Sequence, residues 1–152
     1  MALATQTQAP DFTLPSTQGS DFTLSQQGKP LIIYFYPKDF TPGCTIEACD
    51  FRDNILFFKG FEIDVVGISK DSLETHQKFK EKYGLPFELL SDKKGEVAKL
   101  YKALVPLINI PKRISYLLDK DRKIVAIYEN FFGARKHIQE MIQQIKNAEL
   151  VV

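Results

Sequence analysis

The chain of 152 residues has few of the features that mark several common classes of protein. It contains two cysteines and no tryptophan, and its 20 Lys and Arg nearly balance its 19 Asp and Glu, for a formal net charge of +1. Two cysteines are too few for a secreted disulfide framework, and they cannot form a tetrahedral zinc site by themselves. The even charge balance gives no electrostatic reason to expect binding to nucleic acid or to an anionic membrane.

The chain also lacks long apolar runs, since none approaches the roughly 18 residues that a membrane helix needs. Residues 1–10 have neither the charged start nor the apolar centre of a secretory signal, and no Asn-x-Ser/Thr acceptor occurs. We therefore expect a cytoplasmic protein with reduced thiols. Hydrophobic residues make up 44% and charged residues 26%, which is ordinary globular composition. The length predicts a single domain over residues 1–152.

The hydrophobic pattern predicts alternating strands and helices. Leu31–Tyr36 and Ile63–Ser69 are apolar runs without alternation, which suits strands that are covered on both faces. Helices are predicted from Cys44 to about Phe58 and over Leu73–Tyr83, the second between a Ser72 cap and Gly84. The remaining predicted elements are short strands, a short helix and an amphipathic C-terminal helix: Phe12–Leu14, Phe22–Leu24, Pro86–Leu90, Glu96–Ala103, Ile114–Leu118, Ile124–Tyr128, and the helix that carries Ile138, Met141, Ile142 and Ile145.

This order of elements predicts the fold class. Strands that alternate with helices, followed by a strand hairpin and a last helix, give an α/β protein with a mixed central sheet flanked by helices. The two short strands that precede this unit read as an N-terminal hairpin extension. The arrangement is that of a thioredoxin-like fold.

Both cysteines lie in the stretch that follows the first long strand. Cys44 comes after a Pro-Gly pair and opens a predicted helix, where backbone amides and the positive end of the helix dipole favour a thiolate. Gly43 lets the backbone approach a ligand closely. The hydroxyl of Thr41 is placed to reach the sulfur or a bound oxygen. Position alone also fits an inert Cys44, because a free cysteine is often a small core residue.

Several uses of a reactive thiolate are compatible with this position. A cysteine hydrolase needs a histidine partner, but His76 and His137 lie in no motif and are expected on the surface. A thioredoxin-type oxidoreductase needs Cys-x-x-Cys, whereas Cys44 and Cys49 are separated by four residues. The remaining use is attack on a peroxide, after which a nearby second cysteine converts the sulfenic acid into a disulfide.

The residues around Cys44 resemble a known family. Pro37, Thr41 and Cys44 match the Pro-x-x-x-Thr-x-x-Cys signature of the peroxiredoxins. The longer string over residues 35–53 is similar to the peroxiredoxin Q subfamily, also called bacterioferritin comigratory protein. Three further segments match landmarks of that subfamily: Ala9–Pro15, Val65–Ser72 and Leu89–Asp92. The resemblance covers roughly residues 9–118.

The resemblance implies a thiol peroxidase that reduces hydrogen peroxide and organic hydroperoxides without a metal, haem or flavin cofactor. Cys44 is then the peroxidatic cysteine and Cys49 the resolving cysteine of an intramolecular disulfide. The resemblance further implies that thioredoxin or a similar dithiol reduces this disulfide. We expect the protein to act as a monomer.

The resemblance also implies which residues bind the peroxide. Arg113 lies where the family keeps its active-site arginine, whose fixed donors stabilise the thiolate and polarise the peroxide. The other expected substrate-binding residues are Pro37, Thr41 and Gly43. We interpret Glu47, one helical turn after the peroxidatic cysteine, as ordinary compensation of the helix dipole rather than as a partner of Arg113.

One segment departs from the subfamily pattern and two other functions remain open. Leu104–Pro111 is apolar where the subfamily is more polar, and it predicts either an apolar rim that favours organic hydroperoxides or a piece of the core. The first alternative function is a hydrolase or transferase that pairs Cys44 with His76 or His137. The second is a redox sensor on the same fold, which forms the disulfide but shows no turnover with thioredoxin.

The spacing of the two cysteines carries a geometric consequence. If Cys44 and Cys49 lie in one continuous helix, they are about 7.5 Å apart along its axis and rotated by about 140°. A disulfide needs Cα atoms within roughly 7 Å and converging Cβ vectors. We therefore expect the first turns of this helix, around Thr45 to Cys49, to unwind after oxidation.

Overall fold

The computed structural model describes residues 2–129 and 134–148, apart from the side chains of residues 134–137, 147 and 148. Seven strands and five helices occur in these residues. The strands are β1 (Thr13–Leu14), β2 (Phe22–Thr23), β3 (Leu31–Phe35), β4 (Asp64–Ser69), β5 (Glu88–Ser91), β6 (Ile114–Leu118) and β7 (Ile124–Glu129). The helices are α1 (Pro42–Asp53), α2 (Ile55–Gly60), α3 (Leu73–Tyr83), α4 (Glu96–Leu100) and α5 (Ala134–Ala148).

Five strands form the central sheet, in the order β5-β4-β3-β6-β7. Strand β4 is parallel to both β3 and β5, whereas β6 is antiparallel to both β3 and β7. β1 and β2 pair with each other as a separate antiparallel hairpin. The structure therefore confirms the mixed sheet flanked by helices and the thioredoxin-like fold class that the sequence predicts.

Strand β3 lies at the centre of the sheet, and its side chains are buried on both faces. Ile32 and Tyr34 face the layer formed by α1, α2, α3 and α5, while Ile33 and Phe35 face the N-terminal extension and α4. The ring of Tyr34 stacks on Phe51 of α1 with the ring centroids 4.6 Å apart. This burial on two sides explains the apolar run without alternation.

The sequence predicts the bounds of α3 correctly but not those of α1. α3 has the predicted bounds, because the Ser72 hydroxyl accepts a hydrogen bond from the Thr75 N–H and Gly84 ends the helix at φ +59°. The prediction of one helix from Cys44 to Phe58 is wrong. Asn54 interrupts it with φ −108° and ψ 12°, and its side-chain amide donates to the Asp50 carbonyl at 2.8 Å.

The last helix has the predicted amphipathic character. Ile138, Met141, Ile142 and Ile145 are buried in the core layer that also contains α1. None of the described helices combines the length and apolar character that a membrane crossing requires.

The apolar segment Leu104–Pro111 forms a loop that is closed by a bridge between its two ends. Leu107, Ile108 and Ile110 are exposed, and Leu107 has a positive φ of 74°. Of the two predictions for this segment, the one that places it in the core is therefore wrong for these three side chains, whereas an exposed apolar rim agrees with the structure. Its hairpin shape holds them away from the sheet.

Candidate active site

Cys44 lies in the first turn of α1, directly beyond the end of the central strand. Thr41 is the N-cap residue, Pro42 is the first residue of the helix, and the Thr45 N–H donates to the Thr41 carbonyl at 2.9 Å. The Cys44 side chain is 2% exposed. The sulfur is therefore close to the positive end of the helix dipole, as the sequence predicts.

Arg113 reaches Cys44 because of the sheet topology. It directly precedes β6, and the antiparallel register pairs Ile114 with Phe35 at the end of β3. The arginine is thereby placed beside the loop that leads to α1. Its Nη2 donates a hydrogen bond to the Cys44 Sγ at 3.7 Å. The charged guanidinium is thereby held against the sulfur, with a donor ready for negative charge at this position.

Glu47 is the second partner of Arg113, and the interpretation of this residue as ordinary dipole compensation is wrong. Its side chain is fully buried, and the Arg113 Nη1 donates to its Oε1 at 2.6 Å. Residues three apart share a helix face, so Glu47 projects toward the same guanidinium as Cys44. Arg113 is thus held between two groups of α1.

Burial and the contact between Arg113 and Glu47 have opposite effects on the pKa values of these two side chains. Burial raises the pKa of Glu47 to about 7, and the positive charge of Arg113 opposes this rise. Burial lowers the pKa of Arg113, but the neighbouring Glu47 and Cys44 outweigh it, so that this pKa lies above its usual value. The guanidinium therefore remains charged.

Gly43 allows the close approach between α1 and Arg113. A Cβ atom at Gly43 would lie 2.9 Å from the Arg113 Nη2, too close for an unshifted guanidinium. The hydroxyl of Thr41 donates to the Lys38 carbonyl at 2.7 Å rather than to the sulfur, and its contact with a bound peroxide oxygen stays a prediction. Thr41 thus closes the turn that precedes the helix, and Pro37 begins that turn at the end of β3.

His76 is buried, and the prediction that it lies on the surface is wrong. Its Nδ1 is 2.6 Å from Asp39 Oδ2, and its Nε2 donates to the Leu90 carbonyl at 2.9 Å. It shares one face of α3 with the core residue Phe79, which explains its burial. Because both ring nitrogens have partners, His76 is not arranged as a base for Cys44. The side chain of His137 lies outside the described residues.

A possible metal-ligand set also includes His76. Ligand atoms of Asp39, Asp71 and His76 lie within 4.8 Å of one another. However, Asp39 Oδ2 and His76 Nδ1 bind each other, and Asp71 Oδ2 accepts hydrogen bonds from the Ser69 hydroxyl and the Asp39 N–H. The contacts within the cluster occupy the atoms that a metal would need.

Cys44 and Cys49 are both free thiols in the same continuous helix. Cys49 is half-buried, and burial raises the pKa of its thiol despite the opposing charge of Arg52. The helix geometry separates the two side chains in this state.

The fold and this constellation agree with the comparisons with known proteins. The AhpC/TSA family model matches residues 5–127, and the chain belongs to that family. Within it, the protein is a peroxiredoxin of the peroxiredoxin Q and bacterioferritin comigratory protein subfamily, which confirms the resemblance seen in the sequence. The chloroplastic peroxiredoxin Q of Sedum lineare is 44% identical over 140 residues, which cover 91% of this chain and 75% of that protein.

Comparison with solved structures gives the same family relationship. The peroxidoxin BcpB of Mycobacterium tuberculosis has a TM-score of 0.86 and 33% identity, with 95% of this chain and 97% of that chain covered. The bacterioferritin comigratory protein of Xanthomonas campestris, described for its alkyl peroxide reduction activity, has a TM-score of 0.82 and 27% identity, with 90% of both chains covered.

Proposed function

We propose that this peroxiredoxin reduces hydrogen peroxide and organic hydroperoxides through a sulfenic acid on Cys44. The observation that carries the proposal is the Arg113 guanidinium, which donates to the Cys44 sulfur at 3.7 Å while Glu47 holds it on the other side. A charged donor held in this way is ready to stabilise negative charge that develops on a peroxide oxygen. The burial of Cys44 also keeps bulk water away from the reacting atoms.

The first chemical step is a displacement at oxygen. The Cys44 thiolate attacks one peroxide oxygen, the S–O bond forms, and the O–O bond breaks. The second oxygen leaves as hydroxide or alkoxide and takes a proton to give water or alcohol. Arg113 and the backbone amides at Gly43 and Cys44 face the place where this charge develops. Pro37 and Thr41 shape the turn that holds the substrate there.

The second step makes an intramolecular disulfide. The Cys49 thiolate attacks the sulfur of the Cys44 sulfenic acid, and the oxygen leaves as water after it takes a proton. The step requires unwinding of α1, since the helix keeps the two sulfurs apart. A dithiol protein of the thioredoxin type then reduces the disulfide by thiol–disulfide exchange, which returns both cysteines to the free state.

A cleft beside the site supports the use of organic hydroperoxides. Its volume is about 460 Å³, and its walls include Pro37, Lys38, Ile110 and Pro111. Pro37 belongs to the segment that leads to Cys44, and Pro111 lies two residues before Arg113, so the cleft is lined by the segments that carry the reacting residues. The Xanthomonas campestris relative reduces alkyl peroxides. We assign the exposed apolar loop over residues 104–111 as the rim that contacts the organic group.

The proposal is tested by peroxide consumption coupled to thioredoxin, its reductase and NADPH. We expect sustained turnover by the wild-type protein, none by Cys44→Ser, and a single turnover by Cys49→Ser. Both variants should keep the wild-type melting temperature within a few degrees, which separates loss of chemistry from loss of fold. Retained turnover in Cys44→Ser would refute the role of Cys44. Disulfide formation without NADPH consumption would favour the redox-sensor alternative.

We also propose that the protein works in the cytoplasm as a monomer. The presence of only two cysteines, both free in the structure, is suited to a reducing compartment. Sedimentation of the reduced protein should give the mass of one 17.4 kDa chain, and a stable mass of twice that value would contradict the monomer.

A further inference from the structure

A buried chain of hydrogen bonds joins the loop before Cys44 to helix α3. The Tyr36 hydroxyl donates to Asp39 Oδ1 at 2.6 Å, and Asp39 Oδ2 lies 2.6 Å from His76 Nδ1. Neither the Asp39 nor the His76 side chain has any exposed surface. The chemistry proposed above uses none of these three residues. A carboxyl group and an imidazole are removed from water only when each has a suitable partner.

The acceptors in this chain of hydrogen bonds determine which ring nitrogen of His76 carries a hydrogen. The Leu90 carbonyl can only accept, so the His76 Nε2 that lies 2.9 Å away carries a hydrogen. His76 Nδ1 and Asp39 Oδ2, which are 2.6 Å apart, share the hydrogen of one hydrogen bond. The Asp39 N–H donates in addition to the Asp71 carboxylate at 2.9 Å. Loss of His76 would therefore leave a buried carboxyl group without its main partner.

This chain of hydrogen bonds fixes the backbone at a strained point next to the active site. Phe40, between Asp39 and the N-cap Thr41, has a φ of +66°, which is uncommon for an aromatic residue. Its ring contacts Phe79 of α3 edge to face, with the centroids 5.1 Å apart. Such a conformation persists only where the surrounding structure holds it. Asp39 and Phe40 thus attach this loop to α3 immediately before α1 begins.

We propose that His76 is a positioning residue for the reaction of Cys44 with peroxide. Through Asp39 it holds the loop over residues 38–41, and with it the start of α1, so that Cys44 faces Arg113. This inference rests on the proposed thiol peroxidase function and extends it. The attachment lies before Cys44 in the chain, whereas the unwinding that forms the disulfide occurs after it. His76 therefore acts in the peroxide step and leaves the disulfide step unaffected.

Two amide substitutions separate the two hydrogen bonds of His76. Asn places its side-chain NH₂ near the position of Nδ1, so His76→Asn keeps a donor to Asp39 and loses the donor to Leu90. Gln is longer and places its NH₂ near Nε2, so His76→Gln keeps the donor to Leu90 and loses the donor to Asp39. Each variant removes one buried hydrogen bond. Only His76→Gln detaches the loop, and the Asp39→Asn/His76→Gln double variant described below controls for the carboxyl group that it leaves unpaired.

The measurement is the second-order rate of Cys44 oxidation by hydrogen peroxide, made in a Cys49→Ser background. We expect His76→Gln to slow this rate by about tenfold or more and His76→Asn to slow it by less than about threefold. Alkylation of Cys44 by iodoacetamide at the same pH is the second readout. It needs a thiolate and access but no aligned donor, so we expect it to change by less than about twofold in both variants.

A destabilised control separates positioning from general loss of stability. Tyr101→Phe removes the hydrogen bond that the buried Tyr101 hydroxyl donates to the Pro10 carbonyl at 2.6 Å, on the opposite face of the sheet. We expect this control to lower the melting temperature without slowing the oxidation of Cys44. If His76→Gln does not fold, the Asp39→Asn/His76→Gln double variant removes the unpaired carboxyl group. We expect the double variant to fold and to react with peroxide as slowly as is expected for His76→Gln.

Two results would overturn the positioning role. The first is equal oxidation rates in His76→Gln, His76→Asn and the parent protein. The second is a loss of rate that follows the melting temperature in every variant, Tyr101→Phe included, together with faster alkylation. A parent protein that fails to react with peroxide at all would instead refute the proposed function on which the inference rests.

Discussion

At the scale of single residues, Arg113 connects most of the groups that define the site. One guanidinium nitrogen donates to Cys44 and another to the buried Glu47, so the planar group has one orientation. A donor that is already oriented loses little freedom when the transition state forms. Gly43 completes the arrangement because it has no side chain to displace the guanidinium.

The close approach at Gly43 predicts the effect of adding one methyl group. In Gly43→Ala the new Cβ displaces the Arg113 guanidinium, which is the mobile end of a long side chain. We expect the rate of Cys44 oxidation by peroxide to fall by about tenfold, while the free energy of unfolding changes by only about 1 kcal/mol.

Arg113→Ala is the matched reference for this experiment. Loss of its charge-assisted hydrogen bond costs about 1.5–3 kcal/mol, which corresponds to a decrease of at least roughly tenfold in rate. A rate within about twofold of the wild type in Arg113→Ala would place Arg113 outside the reaction. The same result in Gly43→Ala alone would show that the guanidinium tolerates displacement.

The burial of Glu47 predicts a pH-dependent contribution to stability. The folded protein keeps a proton on Glu47 up to a pKa of about 7, whereas the unfolded chain releases it near the usual carboxyl pKa of 4.5. The stabilising contribution is therefore complete below about pH 4.5 and is lost as the pH rises through about 7. Over this interval we expect the wild type to lose up to about 3 kcal/mol relative to Glu47→Gln.

Denaturant unfolding of both proteins at a series of pH values measures this difference. Glu47→Gln keeps the size and the burial of the side chain but does not titrate, so the remaining groups cancel in the comparison. Parallel curves of stability against pH for the two proteins would show that Glu47 is ionised in both the folded and the unfolded states.

At the scale of elements, both ends of α1 are held. Its start is held by Arg113, and its last turn is held by Phe51 stacked on Tyr34 and by Arg52, whose Nη1 donates to the Tyr83 carbonyl at 2.7 Å. Between these ends, Ile46 is exposed and Cys49 is half-buried, whereas Glu47 is buried and bound to Arg113. The proposed disulfide therefore requires a local opening of the helix that also breaks the Arg113–Glu47 hydrogen bond.

The elements also show what local sequence signals can predict. Ser72 and Gly84 mark the ends of α3 because capping depends on neighbouring residues, and the predicted bounds are confirmed. No proline or glycine marks the break at Asn54, so the sequence pattern predicts one helix that continues through it. For the loop over residues 104–111 the sequence left an exposed rim and a piece of the core open, because an apolar run does not show whether a hairpin turns it outward.

At the scale of the whole molecule, the sheet brings together groups that are distant in the chain. Arg113 is 66 residues from Glu47, and His76 is 37 residues from Asp39. The sequence predicts Cys44 and Arg113 by family resemblance, but the burial of Glu47 and His76 depends on partners that only the packed structure reveals. Periodicity predicts the order of layers, whereas such contacts between layers depend on register and helix rotation.

The two-layer core also limits how far oxidation changes the molecule. The strands pair with one another, α3 packs on β5, and α4 lies on the sheet face opposite α1, so these elements are expected to keep their structure in the disulfide form. The central claim is that formation of the Cys44–Cys49 disulfide and unwinding of α1 are one event.

Hydrogen exchange across the whole chain, with and without peroxide, tests this claim most directly. The account predicts that oxidised wild-type protein loses amide protection around Thr45 to Cys49 and keeps it in the sheet and α3. Cys49→Ser treated with the same peroxide is the control, and it should keep the protection of α1 because no disulfide forms. Oxidised wild-type protein with the same protection in α1 as the reduced protein would contradict the account.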